Sequence, residues 1–96
     1  MHIQHRMSGT HGLFYIPGEG EELLAELTYA VTEDGKMILE HTGVDEDLRG
    51  QNIGFELVRV AVEHARQYNM KIVPVCPFAK AIIDKKPDFQ DVLDYG

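Results

Sequence analysis

The sequence predicts an α+β fold: a mixed, mostly antiparallel sheet with one parallel βαβ unit, covered by two main helices. Three observations carry that prediction. In the first half, short alternating or β-branched segments are separated by glycine-marked turns, among them Asp34-Gly35, the strongest short hairpin signal. After Gly50 the apolar period changes from two to between three and four and holds as far as Tyr68. A strand-like run, Lys71-Ile72-Val73-Pro74-Val75, then follows at once, so strand, helix and strand come in the order that a parallel crossover requires. Short ladders with tight turns fit α+β better than a doubly wound sheet.

The elements follow in chain order. Residues 1–7 are short and polar with Ile3 as anchor, and read as an edge strand. Ser8-Gly9-Thr10 is a turn. Gly12-Leu13-Phe14-Tyr15-Ile16 is rich in aromatic and branched residues and reads as a strand, stopped by Pro17-Gly18-Glu19-Gly20. From Glu21 onward the first residues have helix propensity, whereas Ala25 to Val31 alternates as a strand with Leu27 and Tyr29 on one face. Thr32 to Lys36 is the hairpin loop, and Met37 to Thr42 the returning strand. The chain is then expected to leave the sheet between Thr42 and Leu48. Ile53, Leu57, Val58, Ala61, Ala65 and Tyr68 form one stripe of a helix from about Asn52 to Asn69. Glu56–Arg59 and Glu63–Arg66 pair on its polar side, each contributing a few tenths of a kcal/mol. Asn69 suits a left-handed exit. Pro74 marks an edge strand or an early strand end. Cys76-Pro77 opens a second helix, which runs to about Lys85 before Pro87 ends it.

The chain of 96 residues is expected to form one domain over 1–96 with a single core. No apolar run reaches the length of a membrane span, and the N-terminus lacks the apolar stretch of a signal peptide. One cysteine makes no internal disulfide. The expected compartment is the cytoplasm. Sixteen acidic against nine basic residues give a net charge of -7. Such a surface repels a phosphate backbone, so nucleic acid is not an expected partner, and neither is a membrane. The acidity serves solubility and also favours a cationic partner such as an amine. His2, His5, His11, His41, His64 and Cys76 match no metal-ligand spacing. The oligomeric state is not legible.

Arg49-Gly50-Gln51-Asn52-Ile53-Gly54 lies where a strand hands over to a helix. Helix N-terminal amides lack internal partners and favour anions. Gly50 and Gly54 allow close backbone approach, Arg49 offers a guanidinium fork, and Gln51 and Asn52 offer amides. These residues suit a diphosphate held by backbone donors, in neither the Walker nor the dinucleotide spacing. The alternative is a loop that only turns the chain. Cys76 sits at the second strand-to-helix junction, where a helix N-terminus favours thiolate; the alternative is a small buried hydrophobe. Both junctions follow strands of one βαβ unit and so fall at one end of the sheet, the end where ligands bind in open parallel arrangements. His41, near the end of the preceding strand, is a candidate proton acceptor in the same crevice, or a histidine satisfied by backbone partners. Glu40 and His41 point to opposite faces unless a bulge intervenes.

These residues resemble a known family. The stretch 49–54 is similar to the Gln/Arg-x-x-Gly-x-Gly/Ala pyrophosphate motif of the GCN5-related N-acetyltransferases. Ala25–Tyr29, His41–Val44, Leu48–Gly54 and Val73–Phe78 resemble, in order and spacing, the small YjdJ-type branch of that family. Asn52 departs from the motif, standing where its first glycine belongs; asparagine is the best non-glycine substitute for a left-handed conformation. The resemblance implies a compact minimal acyl-CoA acetyltransferase fold and an acetyl-CoA-dependent transfer of acetyl to an amine, small or peptidic. It implies that acetyl-CoA lies between the strands Met37–Thr42 and Lys71–Val75. Residues 49–54 would hold its diphosphate, Thr42 and Val44 its pantetheine arm, and Cys76 and Phe78 would be near the acyl end. Typical members use a tyrosine on the last helix to protonate the leaving thiolate. Residues 76–85 contain none, which leaves Cys76 as acid, as covalent acceptor, or a step without a dedicated acid. A coenzyme A binding module with little turnover is the alternative function.

Overall fold

The computed structural model describes residues 2–94. Its elements are β1 (Gln4–Ser8), β2 (His11–Pro17), β3 (Leu23–Val31), β4 (Lys36–Val44), α1 (Ile53–Gln67), β5 (Lys71–Pro74) and α2 (Pro77–Lys85). Short 3-10 turns at Glu46–Leu48 and Pro87–Val92 precede α1 and follow α2. The five strands lie side by side in sequence order. β4 and β5 are parallel and the other neighbours antiparallel, as expected for one βαβ unit on a meander.

The core lies on one face of the sheet. Phe14, Ile16, Ala25, Leu27, Tyr29, Met37, Leu39 and Ile72 supply the sheet side, at every second position of their strands. Leu57, Val58, Ala61, Val62 and Ala65 of α1 and Ala79 and Ile83 of α2 supply the helix side. The alternate residues, among them Leu13, Glu26, Thr28, Ala30 and Ile38, are half-buried on a face that no helix covers among the described residues. The segment after α2 docks through Phe89 and Val92, and Leu93 bridges Ile72 in parallel. No helix among the described residues is long and apolar enough to cross a membrane.

Three elements differ from expectation. Glu21 and Glu22 form no helix: Gly18 N–H donates to the Glu22 carbonyl at 2.8 Å, closing a turn, and β3 begins at Leu23 beside Pro17. β4 runs to Val44, because its last residues still pair with β3 after β5 has ended. Tyr68 is 59% exposed, and Val62 fills the buried face in its place. α1 ends at Gln67, and Asn69 (φ 57°) makes the left-handed exit.

The far end of the molecule is closed by rings. His5 of β1 stacks on Phe14 at 4.5 Å between centroids, and its Nε2 shares a 2.5 Å hydrogen bond with the buried Tyr29 hydroxyl. His64 of α1 meets His5 edge-on at 4.9 Å and Tyr68 at 4.6 Å. Gly12 lies against Tyr29 so closely that a Cβ would overlap the ring. Burial lowers the pKa of both histidines, and the neighbouring His5 lowers that of His64 further.

Candidate active site

β4 and β5 separate where two local features coincide. Pairing runs from Lys36↔Lys71 to Leu39↔Pro74 and stops there. Pro74 has no N–H to extend the ladder. The Val75 and Cys76 amides both donate to the Leu39 carbonyl, at 3.1 and 2.9 Å, and the chain turns away into α2. On β4 the register with β3 steps from Tyr29↔Leu39 to Thr28↔His41, so Glu40 is an extra residue, a bulge that bends the strand.

The bulge decides which groups enter the gap. Asp45 N–H donates to the Leu24 carbonyl of β3 at 2.8 Å. Alternation in an antiparallel ladder then turns the Gly43 groups toward β3 and the amide and carbonyl of Thr42 and Val44 toward the gap. With β5 ended, these groups have no strand partner there. Thr42, paired with buried Leu27, shares the helix side of the sheet. His41, paired with Thr28, shares the open side with Glu26, and its Nε2 lies 4.0 Å from Glu26 Oε1. His41 and Cys76 are thus not in one crevice, as expected from sequence, but flank the gap from opposite sides.

The helix ends complete the gap. Asn52 is the α1 N-cap in the left-handed region (φ 62°), and its side chain makes no capping bond, so it leaves the first-turn amides open. Gly50 is also left-handed (φ 87°). Gly54 is buried, and a Cβ there would overlap the Phe78 ring, which joins the starts of α1 and α2. The resulting cavity, about 970 Å³, is lined by Thr42, Gly43, Val44, Leu48, Arg49, Gly50, Asn52, Ile53, Gly54, Phe55, Phe78 and Ile82. Arg49 is exposed at its wall, and among the described residues no carboxylate is paired with it. Gln51 does not line the cavity; its amide donates to the Leu48 carbonyl at 3.4 Å and its side chain is exposed. Phe55, most simply a core residue from sequence, and Ile82 also line the cavity, each one helical turn from a candidate site residue.

Cys76 is 5% exposed, and its Sγ lies 3.5 Å from Thr42 Oγ1. Burial alone would push the thiol up. Hydrogen bonding with the Thr42 hydroxyl and with the Ala79, Phe78 and Thr42 amides outweighs it and lowers the pKa. The Phe78 and Ala79 amides come from the α2 start, the arrangement that favours thiolate, and the Thr42 amide from β4. No group of three or more metal-ligating side chains occurs among the described residues.

The gap between β4 and β5 and the open start of α1 form the cavity, and neither Cys76 nor His41 is among the residues that line it. The sequence profile of the GCN5-related N-acetyl-transferases matches residues 13–92, so the chain belongs to that family. The solution structure of a GCN5-like protein from Staphylococcus aureus superposes with a TM-score of 0.75 at 36% identity, covering 95% of this chain and 87% of that one. GCN5 of Tetrahymena superposes at 0.64 with 12% identity over 92% of this chain and 64% of its own. A ribosomal-protein-alanine N-acetyltransferase from Brucella melitensis gives 0.59 at 19% identity, over 79% of this chain and 62% of its own. The last two share the fold, and the chain spans under two thirds of their lengths. Among curated proteins none matches the sequence.

Proposed function

We propose that the protein is an acetyl-CoA-dependent N-acetyltransferase acting on an amine. The observation that carries this reading is the convergence, in one cavity of about 970 Å³, of β4 backbone groups beyond the end of β5 with the uncapped start of α1. The residues fit the cofactor. Backbone groups of Thr42 and Val44 would extend the ladder along its amide-bearing arm, and the Ile53 and Gly54 amides with Arg49 would face its diphosphate. When bound, acetyl-CoA supplies an activated acyl thioester.

The chain's own groups divide the proton work between the two sides of the sheet. On the open side, a ring nitrogen of His41 accepts the proton of the incoming amine. On the helix side, Cys76 donates its Sγ proton toward the departing sulfur. A lowered pKa makes it a better donor than an ordinary thiol, and the Thr42 hydroxyl and α2 amides stabilise the thiolate left behind. A coenzyme A binding module with little turnover is the second reading, favoured by the near-complete burial of Cys76.

Thermal denaturation with coenzyme A tests the site. Ligand at about 100 times Kd adds about 2.7 kcal/mol, which raises Tm by several degrees in a domain this small. No rise at millimolar coenzyme A would sink both readings. Mass spectrometry of a mixed amine pool with acetyl-CoA separates them. The enzyme acetylates at least one amine, and Cys76→Ser loses at least about tenfold in turnover while binding coenzyme A as before; equal rates would remove Cys76 from the chemistry.

A further inference from the structure

The uncovered face of the sheet carries a second feature beside the cavity. Gly43 lines the cavity, and on the open side it forms the floor of a notch between two cross-strand side chains. A Cβ there would lie 3.3 Å from His41 Nε2 and 3.9 Å from Glu26 Cγ and Oε1. The notch therefore holds a single heavy atom, in close contact with the His41 ring nitrogen. Beyond it, Tyr15 pairs with Glu26 across the sheet and holds Arg6 over its ring at 4.9 Å.

Glu26 is electrostatically incomplete. Its side chain is only 34% exposed, and the one ion-pair partner found for it is His41, charged only when protonated. The lysine and arginine ion pairs among the described residues use other carboxylates: Lys36 with Asp34 and Asp94, Arg59 with Glu56, Arg66 with Glu63 and Asp91, and Lys80 with Asp84. Arg6 lies on the same face over Tyr15, but it forms no ion pair with Glu26 among the described residues, so a ligand's cation can still pair with this half-buried carboxylate.

We propose that Glu26, Gly43 and His41 form the acceptor seat, and that Glu26 selects a small aliphatic diamine or polyamine. The inference rests on the acyl-transfer reading of the adjoining cavity. One nitrogen of the acceptor stays charged and binds the Glu26 carboxylate. The other lies over Gly43 beside His41, on the side of the gap that no helix covers among the described residues. Glu26 is thus a specificity-determining residue, and a monoamine of the same chain length lacks the group it holds.

The test is an NMR titration of the coenzyme A-loaded protein with cadaverine and, separately, with pentylamine. Cadaverine is expected to shift the amides of Glu26, His41 and Gly43 and to bind at least about fivefold more tightly than pentylamine, and Glu26→Gln removes that preference. The isosteric amide keeps the fold, which the same spectra verify. Equal affinities for the two amines, an unchanged preference in Glu26→Gln, or shifts confined to other regions would overturn the proposal. So would a lysine-rich peptide that shifts the whole open face and displaces cadaverine. Coenzyme A shifts at residues 49–54 report the cofactor reading independently: cadaverine binding at Glu26 without them leaves the seat standing and removes the transferase.

Discussion

The two ends of α1 are built on opposite principles. At the C-terminal end hydrogen-bonding groups are largely partnered. Arg66 bonds Glu63, both carboxylate oxygens of Asp91 and the Asp88 carbonyl, and His5 and His64 close rings over the Tyr29 hydroxyl. At the N-terminal end partners are withheld. The Asn52 side chain does not cap, Arg49 pairs with no carboxylate among the described residues, and β4 runs on without β5. A helix whose far end is well anchored can hold its near end open, because tertiary packing rather than its own caps supplies most of a helix's stability.

That contrast can be broken first at the closed end. Gly12→Ala places a methyl inside the Tyr29 ring, which is fully buried. Overpacking of this kind costs about 3 kcal/mol, so Tm should fall by about 10 °C or more. Calorimetry should show this while the folded fraction binds coenzyme A within about twofold of wild type. At the open end the order reverses. Gly54→Val expels the Phe78 ring, which is already 46% exposed and free to swing outward. Tm should barely change, whereas coenzyme A affinity by isothermal titration should fall by about tenfold or more, since the branched side chain also shields the first-turn amides.

Acid provides a milder probe of the closed end. The folded-state pKa values of His5 and His64 are lowered, so the stability they contribute is fully present above the unfolded value of 6.5. It is lost as pH falls through the lowered folded values. Asp91 and Asp34, also lowered, contribute only to losses below their ordinary 3.8. Denaturant midpoints between pH 7 and 5 should therefore drop, and His64→Gln should flatten the drop. The smallest effect belongs to Arg49→Ala. An exposed guanidinium facing a diphosphate should contribute a few-fold in affinity, weakening with added salt, and nothing to the stability of the free protein.

Much of the fold was legible, and the reason is periodicity. The Asp34-Gly35 hairpin, the β5 proline and the α1 stripe are local signals, and each stands where the sequence predicts it except for the last stripe position, Tyr68, which is exposed. Asn52 and Asn69 both adopt the left-handed conformation that their residue type allows. The helix expected near Glu21 failed because propensity is a weak prior beside sheet pairing. His41 and Cys76 fall on opposite sides because the outcome depends on one bulged residue, and a bulge is a relation between two strands that neither writes in its own sequence. Glu26 was missed for the same reason: only the cross-strand register brings it to Gly43.

The bulge at Glu40 has a consequence for how this site tolerates change. The cleft is a dislocation, in the sense used for crystals: one strand contains an extra unit, and two rows that ran in step fall out of step beyond it. A dislocation is not removed by exchanging one atom for another. Side-chain replacements along β4 alter what lines the opening but leave the mismatch in place. Deleting Glu40 alone would restore the count against β3 and straighten β4 with every ligand-facing residue still present, leaving the end of β5 at Pro74 as the one feature that parts the two strands.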